Sequence, residues 1–196
     1  MDRVPSLLPP LPPPARAVLL GFAAGLRSQV PLALLAIETQ RGDFDPGTGR
    51  LARRFGSNEG VLGAVVAAAG EIVADKLPAT PARTTTGPFL QRLATGGAVG
   101  AAVHYDAGRP RALGALLGAA GAGAGAWAGS RARILAAERT RLPGSLLGAI
   151  EDLVAIALAV AVLQAGQARA AAGGRRRSSQ ATGSVSGGST VAMRRG

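Results

Sequence analysis

The sequence predicts an all-α protein, a polytopic membrane helical bundle of four to five segments with a broken or re-entrant first helix. Apolar runs at 15–37, 60–76, 89–103, 112–130 and 146–165 alternate with polar connections, and roughly 20 apolar residues are needed to cross a bilayer. The run 112–130, ALGALLGAAGAGAGAWAGS, holds six glycines and no charge. In water each glycine costs a helix about 1 kcal/mol relative to alanine. In lipid the backbone must pair internally, and glycine lets helices approach closely. Finally, acids and arginines stand inside or beside these runs, at Arg27, Glu71, Asp75, Arg92, Glu151 and Asp152. Charges there are expensive, which makes them the first candidates for function.

Residues 1–14, MDRVPSLLPPLPPP, read as an extended proline-rich arm that cannot be helical, because each proline removes a donor. Asp2 and the prolines replace the basic start of a secretory signal. The segment 15–37 is long enough to span, but Arg27-Ser28-Gln29 and Pro31 fall near its middle. Two short helices, about 16–26 and 31–37, fit better than one straight helix, since Pro31 biases Val30 away from helix. A kinked span whose arginine snorkels is the other reading. The loop 38–59 contains Asp43, Asp45, Gly47 and Gly49, which suggest a calcium loop; without the terminal Glu a solvated turn is the better reading. Ser57 or Asn58 suits a cap for the next helix.

That helix, 60–76, places Glu71 and Asp75 four residues apart and so on one face. It breaks at Lys76-Leu77-Pro78, and a Pro/Thr turn leads to the segment 89–103, with Arg92 at its start and Gly96-x-x-x-Gly100 inside. The turn 104–111 follows. Its His104 has no histidine or cysteine companion, so it reads as a loop residue and not a metal ligand. Tyr105 and Trp127 suit interface anchors. The run 112–130 carries Gly114-x-x-x-Gly118 and Gly121-x-x-x-Gly125-x-x-x-Gly129, a close-packing face. A phosphate-binding loop is excluded, because no strand precedes it and no Gly-Lys-Ser/Thr closes it. Residues 131–145 read as a polar loop, and Glu151-Asp152 lies near the start of the last segment. The organisation is therefore an arm (1–14), a glycine/alanine-rich membrane domain (15–169) and a disordered basic Gly/Ser/Arg tail (170–196).

Composition narrows the partners. The chain has 196 residues, a net charge of +11 and no cysteine, which removes disulfides and thiolate chemistry. Its aromatic content of 3% gives no stacking platform, so nucleic acid is not expected despite the charge. The expected partners are the lipid bilayer and a second copy through the glycine-rich helices; no cofactor and no metal is expected.

With these motifs in hand, the chain resembles a bacterial family of small integral membrane proteins known as domain of unknown function 4126. The likeness rests on Gly25-Leu26-Arg27-Ser28 with Pro31-Leu32, Glu71 with Asp75-Lys76-Leu77-Pro78, Pro81 and Arg83. It continues through Arg92 ahead of Gly96-Gly97, the glycine-alanine helix ending at Arg131 and Arg133, and Glu151-Asp152. It covers 16–165 and implies a multi-pass helical protein of the bacterial inner membrane, with no activity attached. Orientation depends on the first segment. Five full spans divide the basic residues almost evenly, whereas a first segment that dips in and returns puts fourteen on one side and seven on the other. Positive-inside bias then makes both termini cytoplasmic.

Three functions compete. A permeation or transport protein would use the broken helix and the polar cluster of Arg27, Ser28, Glu71, Asp75, Lys76, Arg92, Glu151 and Asp152 as a pathway, with Arg27 and Arg92 facing the acids. A non-catalytic membrane scaffold would pair the same charges structurally. An enzyme on a lipid-linked phosphate would hold Mg²⁺ on Asp75 or Glu151-Asp152 and phosphate on Lys76, Arg83 and Arg92.

Overall fold

Proline sets where the first helix begins. The computed structural model describes residues 9–74, 86–140 and 142–186. Its first helix, α1 (Pro13–Leu26), opens on Pro13 and Pro14, inside the arm that the sequence reads as non-helical to residue 14. The first helical positions have no intrahelical acceptor to lose, and the fixed φ of proline suits them. At Arg27 the backbone turns extended (φ −139°, ψ 104°), and α2 (Gln29–Arg41) follows. Pro31 lies in the first turn of α2, where its missing N–H loses no bond. That is why α2 starts two residues before the expected position 31.

Gly42 ends α2 in the left-handed region (φ 78°). The acidic loop is a solvated turn: Asp45 Oδ1 accepts from Gly47 N at 2.8 Å. A short α3 (Arg50–Phe55) stands inside the expected loop, and Ser57 Oγ then accepts from Gly60 N at 3.1 Å to cap α4 (Asn58–Ala74). The remaining helices are α5 (Thr86–Asp106), α6 (Arg111–Arg139) and α7 (Gly144–Ser186). All seven are α-helices, and no strand occurs among the described residues. Helix α6 continues through the expected polar loop to Arg139, because ARILAAER is made of good helix formers. The backbone of α7 likewise stays helical to Ser186, beyond residue 170.

Contacts fix the direction of each helix. Arg16 near the start of α1 pairs with Asp106 at 3.8 Å, and Asp45 N beyond α2 donates to the same carboxylate at 3.0 Å. Helices α1 and α2 are therefore a hairpin, its two outer ends together. Gln40 Nε2 donates to Asn58 Oδ1 at 2.6 Å, so α4 starts from that end and runs up to the hairpin tip. Helix α5 returns to Asp106, α6 goes back up, and α7 descends until Gln167 donates to Glu38. With 14 residues, α1 is about 21 Å long, so the hairpin tip stops inside the bundle.

Glycine lets α6 lie backbone to backbone against both α1 and α5. Gly118 is decisive, since a Cβ there would run into the Gly96 carbonyl oxygen and the Gly100 backbone. Gly25 meets the Ala122 carbonyl in the same way. The GxxxG registers expected at helix faces are thus used within one chain, while Gly63 and Gly70 of α4 face open space. Leu20, Leu35, Phe44, Val99, Val103 and Val162 form the buried core. Large apolar side chains also cover the outside, among them Leu62 and Val66 of α4, Leu116 of α6 and Leu153 of α7. Two helical stretches, Arg111–Arg139 and Gly144–Gln167, are long and apolar enough to cross a membrane.

Candidate functional site

A broken helix leaves two sets of unpaired backbone groups, carbonyls where α1 ends and amides where α2 begins. Both sets lie inside this bundle, and charged side chains from other helices meet them. Glu71 of α4 reaches the start of α2, where its Oε1 accepts from Ser28 N at 3.0 Å and from Ser28 Oγ at 2.8 Å. Its Oε2 accepts from Gln29 N at 2.8 Å. The carboxylate therefore does the work of a cap that Ser28 does not perform for its own helix, and its charge suits the positive end of the helix dipole.

Arg92 of α5 serves the other helix end. One guanidinium nitrogen donates to Gly25 O and Leu26 O, each at 2.9 Å, and the other stands 3.5 Å from Glu71 Oε1. The Arg92–Glu71 pair thus staples the last turn of α1 to the first turn of α2. Arg27, at the tip, is fully buried, and its Nε donates to Asp152 Oδ1 of α7. Helices α4, α5 and α7, well separated in sequence, all send a charge to residues 25–29.

Of the residues singled out from sequence, Arg27, Ser28, Glu71, Arg92 and Asp152 meet at the hairpin tip. Glu151 does not. Successive helix positions point about 100° apart, and Glu151 turns to α6, where Arg133 Nε donates to its Oε2 at 2.6 Å. Asp75, Lys76 and Arg83 lie outside the described residues. Arg133, which the sequence leaves outside the polar cluster in a loop at 131–145, stands on α6; the helical continuation through ARILAAER is the signal for it. His104 also differs from the expected turn position. It is buried in the last turn of α5 and not in a loop, and its Nδ1 donates to Pro110 O at 3.1 Å. Packing against Gly114 holds its ring there.

No family model, curated protein sequence or solved structure matches the chain. Function therefore rests on what these groups can do. Glu151 and Asp152 are directed to different arginines, and no three His, Asp or Glu side chains are grouped to hold a metal among the described residues. One further acid stands at the polar end of the hairpin. Burial raises the Glu38 carboxyl above its ordinary value of 4.5; Asp43 adds to this, while Arg41 and Gln167 oppose it. Glu38 borders a cavity of about 300 Å³ with Arg41, Asp43 and Gln164.

Proposed function

We propose that this is a small multi-pass protein of the bacterial inner membrane, a non-catalytic scaffold whose buried acids and arginines clamp a re-entrant hairpin. The observation that carries this reading is the seating of Glu71 and Arg92 on the two backbone ends of the break, with Arg27 tied to Asp152. In hydrocarbon no water replaces a lost partner, so an interrupted helix persists only where protein satisfies it. The lengths of α6 and α7 and the apolar outer surface support the membrane setting. The shared end of the arm, loop 42–49, turn 107–110 and the end of α7 is the more basic one by sequence, which makes it cytoplasmic. Membership of the family known as domain of unknown function 4126 belongs to the same proposal.

One observation favours transport as a second reading. Glu71 occupies the kind of position, a helix N-terminus beside an arginine, that binds anions. A protonated or displaced Glu71 would open that position to a solute. Reconstitution of the full chain in liposomes separates the two. The scaffold reading predicts no chloride or phosphate flux above empty vesicles for the native chain or Glu71→Gln, and a lower melting temperature for the variant. Flux that Glu71→Gln accelerates, with the fold intact, would establish transport instead.

A further inference from the structure

We infer that the groove between the upper halves of α6 and α7 binds one anionic phospholipid, an acyl chain in the groove and the phosphate at Arg133. This rests on the membrane reading above. Helices α6 and α7 make little direct contact with each other, and α1 fills the space between them only as far as Leu26. Above that point lies a cleft of about 300 Å³. Its walls are Phe22 and Leu26 of α1, Ala128 and Ala132 of α6, and Ile150 and Val154 of α7. Ile150 and Val154 are about half exposed, at 46% and 51%, so the cleft opens sideways toward the surroundings of the bundle. A side opening walled by small and aliphatic groups suits a hydrocarbon chain.

The polar end of the cleft sets the headgroup. Arg133 and Glu151 line it and are paired at 2.6 Å. Arg133 keeps a third of its side chain exposed, 33% against 9% for Glu151, so the face it shows outward is cationic. Arg131 stands two residues before it, its guanidinium 5.7 Å from the ring centre of Trp127, which is 63% exposed. An exposed tryptophan beside an arginine marks the depth of the headgroup layer. A phosphate there meets Arg133, while its chain follows Leu26 and Val154 inward.

Native mass spectrometry of the detergent-solubilised full chain tests this with phosphatidylglycerol and phosphatidylcholine of identical chains. The native protein should retain phosphatidylglycerol roughly fivefold better, the preference expected of one arginine near an anionic headgroup. Ala132→Phe, at an exposed position on the cleft wall, should remove most of that retention without lowering the melting temperature. Arg133→Gln should lose the preference and Arg133→Lys should keep it; if Arg133→Gln does not fold, Ala132→Phe decides. Glycerol 3-phosphate, which has the headgroup charge and no chain, should displace nothing. Equal retention of the two lipids, undiminished retention by Ala132→Phe, or displacement by glycerol 3-phosphate would overturn the inference. A membrane-bound chain with no lipid preference sinks this inference alone, whereas recovery of the chain in an alkaline carbonate supernatant sinks the membrane reading with it.

Discussion

Asp152 and Arg27 show what a single buried charge does here. Arg27 is fully buried and Asp152 nearly so, and removing one partner of such a pair typically costs about 3–5 kcal/mol because the survivor is left uncompensated. Asp152→Ala should therefore sharply lower the melting temperature in detergent, and exposed Glu59→Ala should leave it within a degree or so. The reversed pair, Arg27→Asp with Asp152→Arg, should recover part of the loss, a coupling that a double-mutant cycle measures. Glu38 behaves differently. A carboxyl raised by burial binds its proton more tightly in the folded chain, so its contribution favours the fold below 4.5 and is lost as pH rises through the higher folded value. Glu38→Gln should raise the melting temperature at neutral pH and flatten its decline above 4.5, as a melting series from pH 4 to 8 would show. The charges were legible in the sequence because ionisable groups inside apolar runs stand out. Phe44 was not: it is a core residue inside an acidic, glycine-rich loop, and only the return of the hairpin brings it inward.

At the scale of the element, small residues decide which helices touch. The GxxxG spacing announced close contact but not its partner, since a helix in another copy would use the same register. Position 118 makes the distinction testable, because the α5 backbone at Gly96 and Gly100 closes it within one chain. Gly118→Ala should reduce yield and stability even in dilute monomeric samples. Gly63→Ala, facing open space in α4, should be neutral or slightly stabilising, given alanine's advantage of about 1 kcal/mol in a helix. Circular dichroism melts of the two variants would check this. The helix ends were less legible than the helices. Prolines at 13, 14 and 31 read as breaks in sequence, yet all three fall in first turns, where a missing N–H loses nothing. Arg133 misleads in the opposite direction, as its charge suggests a loop while its neighbours favour continued helix.

The whole molecule is built around a first hairpin that enters the bundle, stops at Ser28 and returns to its starting end. Sequence alone left this undecided, because a kinked span and a returning hairpin share the polar break and differ only in long-range contacts. The contacts of Asp106 with Arg16 and with Asp45 N decide it for the fold. The chain has no cysteine, so single cysteines at Pro10, Thr48, Arg109 and Ser145 can be labelled with a membrane-impermeant maleimide in spheroplasts and inverted vesicles. Pro10, Thr48 and Arg109 should label together, only in inverted vesicles, and Ser145 only in spheroplasts. Labelling of Pro10 and Thr48 from opposite faces would make the first segment a full span and rule out the returning hairpin.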